Sequence, residues 1–131
     1  MMKNAVFTIC AKNYLAQALT LKNSLARHNP EIDFYLFLAD EKTEDFSEVN
    51  CEELDDSWLP GWRSMAFKYN VIEFATSIKP FCISRLFDKG YEKVIYLDPD
   101  IFVTASLQPV LDLLENRSMV ITPHFNHIET E

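Results

Sequence analysis

Short apolar runs that alternate with helical patterns are the feature that most constrains the fold of this chain. Residues 5–11, 33–39 and 93–97 are rich in Val, Ile, Leu, Phe and Tyr, a composition typical of buried strands. Between the first two runs, apolar residues recur at the spacing of an amphipathic helix that ends before residue 29. Continuous apolar strands are typical of parallel sheets covered on both faces. The pattern therefore predicts an α/β fold, with a Rossmann-like, mostly parallel sheet and helices on both faces.

The rest of the chain predicts more elements of the same alternating kind. The acidic stretch 40–56 is expected to be a solvated loop. A long helical pattern then covers residues 65–89, with a kink or restart expected at Pro80 and a C-terminal cap at Gly90. The elements expected after this helix are a strand at 93–97, a short strand after residue 100, a helix at 107–115 and a last strand at 119–122.

Length, charge and glycine content restrict the classes of function. The 131 residues fit one domain, 1–131. The net charge is −8 and lysines and arginines do not cluster, so the chain lacks the footprint of a nucleic-acid-binding protein. The chain has two glycines, Gly61 and Gly90, which are too few for the Gly-x-Gly-x-x-Gly dinucleotide motif and too far apart for the Gly-x-x-x-x-Gly-Lys phosphate loop. A nucleotide would therefore have to be bound in another way.

The apolar N-terminal stretch, residues 1–10, and the three cysteines give information on the cellular compartment of the chain. The apolar stretch is too short to span a membrane and has no signal-peptide cleavage pattern, so no transmembrane segment is expected. Cys10, Cys51 and Cys82 are odd in number, and their spacing does not suit zinc. Three reduced thiols in the cytoplasm are the expected state.

Two carboxylates interrupt an apolar run at residues 95–103. Asp98 and Asp100 are one residue apart, and flanking apolar residues predict a buried strand in which a charge pair is costly to desolvate. In an extended segment both side chains would point to the same side. Carboxylates suit Mg²⁺ or Mn²⁺, whose remaining ligands can come from a phosphate group. The alternative is an Asp-Pro-Asp turn around Pro99 that needs no metal.

Three segments, 7–14, 73–81 and 94–103, resemble glycosyltransferases of the GT-A fold, especially the glycogenin-like and lipopolysaccharide galactosyl- and glucosyltransferase group. With the spacing between them they span residues 7–123. The resemblance implies a hexosyltransferase of the GT-A nucleotide-diphospho-sugar transferase type. It also implies a nucleoside-diphosphate sugar as donor, with a UDP-sugar expected, and a carbohydrate or lipopolysaccharide-type acceptor.

The resemblance also implies roles for individual residues. Cys10, Ala11 and Tyr14 resemble the residues that contact the base and ribose of the donor. Lys79 matches a lysine that reaches the diphosphate or the sugar. Asp98 matches a carboxylate that lies near the ribose as well as binding metal.

The implied metal ligands are Asp98 and Asp100, which match the pair that holds Mn²⁺ or Mg²⁺ against the donor phosphates. Together with Lys79 they form the implied catalytic set. Members of the group continue beyond the last strand expected here, often with a further histidine ligand to the metal. His124 and His127 are candidates for that ligand, with plain surface histidines as the alternative. A truncated enzyme, or the N-terminal donor-binding half of a longer one, is therefore expected, and its activity in isolation needs testing.

Two other classes of function stay open at this point. A phosphoryl-accepting receiver domain has a similar length and alternation, with Asp98 or Asp100 as acceptor. Against it, residues 11–13 after the first strand lack the acidic pair that such a domain needs for Mg²⁺. The other alternative is a non-catalytic nucleotide-sugar-binding module.

Overall fold

A four-stranded parallel sheet forms the centre of the fold, as the sequence predicts. The computed structural model describes residues 2–47 and 49–123, and the strands pair in the order β3-β2-β1-β4. The strands are β1 (Asn4–Cys10), β2 (Asp33–Leu38), β3 (Glu52–Glu53) and β4 (Lys93–Tyr96). The helices are α1 (Leu15–His28), α2 (Trp62–Lys68), α3 (Val71–Asp88) and α4 (Gln108–Leu113).

Helices cover both faces of the sheet, which confirms that part of the prediction. On one face, Phe7 of β1 shares a buried cluster with Phe74 and Ile78 of α3. On the other face, Val6 packs with Leu21 of α1. Because neighbouring residues of a strand point to opposite faces, alternate side chains of β1 serve the two layers. All five side chains are almost completely buried.

The predicted helix 65–89 is in fact two helices, and the break lies at residues 69–70 rather than at Pro80. The Asn70 side chain accepts a hydrogen bond from the Glu73 N–H at 2.9 Å, and the Glu73 carboxylate accepts from the Asn70 N–H at 3.1 Å. This capping box starts α3. Pro80 lies on the exposed side of α3, where water can bind the carbonyl of Thr76 that has lost its helical donor.

Replacing Asn70 by alanine is expected to lower the free energy of unfolding by about 1 kcal/mol, because the Glu73 N–H loses its acceptor. Urea denaturation followed by circular dichroism measures the change. The matched control is Asn50→Ala, at an exposed position outside the helices, which should stay within about 0.5 kcal/mol of the wild type. Equal urea midpoints for the two variants would contradict the capping role.

The acidic stretch 40–56, predicted as a solvated loop, contributes the edge strand β3. Glu52 pairs with Phe37, and its carboxylate accepts a hydrogen bond from the Lys89 ammonium at 2.8 Å. The guanidinium of Arg85 lies 3.9 Å from the same carboxylate. Acidic residues are rare in strands. Here Arg85 of α3, and Lys89 directly after that helix, offset the charge of Glu52. The local pattern of residues could not show that contact.

Two predicted strands are not formed in the described residues. After the acidic pair, the N–H of buried Val103 donates to the Ser24 hydroxyl of α1 at 2.9 Å, so this segment is held by α1 and forms no strand paired with β4. In the expected last strand, Met119 and Ile121 are 71% and 75% exposed. Apolar composition favours a strand only where a partner strand and a buried face are present. Within the described ranges, no helix has both the length and the apolar character needed to cross a bilayer.

Candidate functional site

The strand order places a topological switch point between β1 and β4. From β1 the chain proceeds to β2 and β3 on one side of the sheet, and β4 then pairs on the other side of β1. In open α/β sheets, ligands bind beyond the carboxyl ends of the strands at such a switch point. Tyr96, the last residue of β4, pairs with Phe7, whereas β1 continues to Cys10. The loops that follow these two strands therefore lie at the switch point, where a ligand is expected.

The acidic pair lies in a turn directly after β4. The Ile101 N–H donates to the carbonyl oxygen of Asp98 at 3.1 Å, and Pro99 occupies the second position, where its fixed φ suits the turn. We call residues 98–101 the acidic turn. Asp98 and Asp100 are both exposed, so the predicted extended, buried segment and its desolvation cost are wrong. The apolar neighbours of the pair belong to a strand end and a turn, which leaves both carboxylates in contact with solvent.

Tyr96 brings Lys79 of α3 and Asp98 together. Its hydroxyl donates a hydrogen bond to the Asp98 Oδ1 atom at 2.9 Å. The Lys79 Nζ atom lies 3.9 Å from the centroid of the Tyr96 ring, a distance typical of a cation–π contact. Lys79 and Asp98, for which the resemblance implies roles at the donor, therefore share one aromatic neighbour.

The pKa of the Tyr96 hydroxyl is raised, mainly by burial. The hydrogen bond to Asp98 and the charges of Asp98 and Asp100 raise it further. The hydroxyl therefore stays protonated at neutral pH and donates to the carboxylate. Sequence reasoning missed Tyr96. The available signal was its spacing, because an aromatic residue two positions before an aspartate, near a strand end, can face the same side.

The residues that follow β1 are only partly available to a ligand. Tyr14 is 45% exposed, and its N–H donates to the Ala11 carbonyl at 3.1 Å in a 3-10 turn, Lys12–Tyr14. Cys10 is buried, and its carbonyl accepts from the Ala39 N–H at 2.9 Å. Burial, with a smaller contribution from the Cys51 thiol, raises the pKa of the Cys10 thiol to about 11. Tyr14 and half-buried Ala11 can thus meet a ligand, whereas the Cys10 side chain points into the core.

The chemistry of the acidic turn fits Mn²⁺ or Mg²⁺. Asp98 and Asp100 offer carboxylate oxygens, and such ions are commonly held by one or two carboxylates together with substrate phosphates and water. Within residues 2–47 and 49–123 there is no group of three or more His, Cys, Asp or Glu side chains placed to bind a metal. The predicted further ligands His124 and His127 lie outside the described residues.

A cleft of about 580 Å³ opens elsewhere, beyond β2 and β3. Trp62, Arg63 and Arg85 are among its lining residues, and the acidic turn is not. The arginines are already paired, since Arg63 lies 3.2 Å from the Asp56 carboxylate and Arg85 lies 3.9 Å from that of Glu52. Lys42 also lines this cleft. We nevertheless place the candidate site at the acidic turn, because that turn lies at the switch point between β1 and β4.

Comparison with curated proteins shows similarity to "Glycosyltransferase GlyE" of Streptococcus pneumoniae serotype 4 (strain ATCC BAA-334 / TIGR4). The two sequences are 29% identical over 117 residues, and the matched region covers 79% of this chain and 27% of the relative. The chain thus spans about a quarter of the length of the relative. Neither the comparison with family profiles nor that with solved structures found a match.

Proposed function

We propose that this chain is the donor-binding part of a metal-dependent glycosyltransferase. It binds a nucleoside-diphosphate sugar, expected to be a UDP-sugar, with Mn²⁺ or Mg²⁺. A carbohydrate or lipopolysaccharide-type molecule accepts the sugar. The observation that carries the proposal is the placement of the acidic turn and Lys79 beside the switch point between β1 and β4. Similarity to a glycosyltransferase supports the class of reaction.

Charge explains why a metal belongs in this proposal. The chain carries a net charge of −8, and the acidic turn places two exposed carboxylates at the switch point, so an anionic diphosphate alone would be repelled. Asp98 and Asp100 would hold the cation, which when bound neutralises charge that develops on the leaving diphosphate. Lys79, a compact positive charge next to Asp98 through Tyr96, would contact the same diphosphate.

The residues after β1 would contact the nucleoside. Tyr14 exposes its ring at the end of the neighbouring strand and would stack on the base. Ala11 leaves space for the ribose beside it, since it has a small side chain and is half-buried. Cys10 would contribute through its backbone or by packing, because its thiol is buried and protonated.

The residues after β1 disfavour the receiver-domain alternative. Such a domain needs an acidic pair there to hold Mg²⁺, whereas Ala11, Lys12 and Asn13 carry no carboxylate. The strand order does not separate the two classes, because without the two-residue edge strand β3 the order β2-β1-β4 is also that of a receiver domain.

Calorimetric titration tests the proposal. UDP, GDP and UDP-hexoses are titrated into the chain, once with excess Mn²⁺ and once with EDTA. We expect binding of at least one ligand to strengthen about 10-fold or more with Mn²⁺, since the cation bridges two anionic partners. Equal affinities under both conditions would contradict the proposal. Release of free nucleotide in the presence of acceptor would distinguish a transferase from a binding module.

A further inference from the structure

We infer that Tyr96 is a positioning residue of the donor site, which holds the Asp98 carboxylate in the orientation that binds the divalent cation. The inference rests on the proposed function, because that function makes Asp98 a metal ligand. It adds a residue that the sequence did not single out. Three contacts of Tyr96 carry the argument: one anchors its ring, one fixes Asp98, and one places Lys79.

The ring of Tyr96 is itself held in place. Its centroid lies 5.2 Å from that of Phe7, with a tilt of 57° between the rings, and the Phe7 side chain is completely buried. The backbone is fixed as well, because Tyr96 pairs with Phe7 across β4 and β1. A side chain can orient a ligand-binding group only if its own position is set by packing, and Tyr96 meets this condition.

The hydroxyl of Tyr96 limits the rotation of Asp98. Asp98 is exposed, so without a partner its carboxylate would sample several rotamers. The hydrogen bond from the Tyr96 hydroxyl to Asp98 Oδ1, at 2.9 Å, favours one of them. The carboxylate keeps lone pairs free for a cation, because each of its oxygens can accept more than one bond. Partners of this kind commonly change metal affinity or activity 10–100-fold when they are removed.

The face of the same ring places Lys79. The Lys79 ammonium lies 3.9 Å from the ring centroid, whereas the hydroxyl at the ring edge serves Asp98. The two contacts use different parts of one side chain. Tyr96→Phe therefore removes the contact to Asp98 and keeps the aromatic face under Lys79.

The test measures UDP affinity, with GDP in parallel, in excess Mn²⁺ and again in EDTA. For Tyr96→Phe we expect affinity in Mn²⁺ about 10-fold or more below that of the wild type. Affinity in EDTA should be unchanged, since Lys79 and the ring remain. The matched control is Tyr35→Phe, which removes a hydroxyl that lies 2.9 Å from the Tyr91 hydroxyl, away from the acidic turn. Its affinities should equal those of the wild type under both conditions.

Other outcomes would overturn the inference. Equal Mn²⁺-dependent affinity of Tyr96→Phe and the wild type would show that Asp98 needs no support from the hydroxyl. Losses of equal size in Mn²⁺ and in EDTA would show a general structural role. Failure of the proposed function looks different, because in that case the wild type itself would bind neither nucleotide more tightly with Mn²⁺, and both proposals would fall.

Discussion

Asp100→Ala is expected to lower the Mn²⁺-dependent affinity for UDP by at least about 100-fold, which corresponds to about 3 kcal/mol of lost binding free energy. The carboxylate of Asp100 is exposed and lies in the acidic turn, so its removal takes away one of two proposed protein ligands of the cation. The affinity measured in EDTA should change little or improve slightly, because one negative charge near the diphosphate is gone. Titration calorimetry in Mn²⁺ and in EDTA gives both values.

Asp88→Ala is the matched control for this experiment. Asp88 is the last residue of α3 and is exposed, and its removal changes the net charge by the same amount. Asp88 precedes the amino end of β4, whereas the acidic turn follows its carboxyl end, so the affinities of Asp88→Ala should equal those of the wild type. A loss of similar size in both variants would mean that net charge, and not a ligand position, governs binding. Unchanged Mn²⁺-dependent affinity in Asp100→Ala would refute the site assignment.

Phe7→Ala should lower the free energy of unfolding by about 3–5 kcal/mol. The ring is fully buried at the centre of β1 and lies 5.7 Å from the ring of Phe37 and 5.2 Å from that of Tyr96, measured between centroids. Its removal leaves a cavity that these neighbours cannot fill without moving. Urea denaturation measures the loss, with a lower midpoint expected at a similar slope.

The control replaces a phenylalanine that is almost fully exposed. Phe67 of α2 is 93% exposed, so Phe67→Ala removes the same atoms from solvent contact and should change stability by less than about 0.5 kcal/mol. If Phe7→Ala cost less than about 1 kcal/mol, the described core would be wrong. Since stability of a domain is about 5–15 kcal/mol, the expected loss is a large fraction of the total.

Phe67 also shows where sequence patterns mislead. In a single helix over residues 65–89, as the sequence predicts, the spacing of Phe67, Phe74 and Ile78 would place all three on one apolar face, yet only Phe74 and Ile78 are buried. The capping box at Asn70 starts a new helix and resets the phase. Phe67 therefore faces solvent, whereas Trp62, at the start of α2, is the residue of that helix buried in the core. Periodicity describes the faces of a helix only when its boundaries are known.

The candidate site was also predictable only in part, because local patterns do not show where a strand ends and a turn begins. The position of Asp98 and Asp100 after a strand follows from the order of residues, and the structure places them there. Their burial was predicted wrongly, because apolar residues on both sides of a turn look like a continuous strand. The contact of Lys79 with Tyr96 joins α3 to β4, and no local pattern reports the packing of one element against another.

The amino-acid sequence by itself determined the alternation of strands and helices, the parallel character of the sheet and the place of the acidic pair after β4. These features depend on local composition and spacing, which are set within a few residues of the chain. Only the tertiary structure decided that β4 pairs with β1, that Glu52 joins the sheet, and that Tyr96 links Lys79 to Asp98. Such contacts join residues that are distant in the chain, and they form because the whole fold buries its apolar faces together.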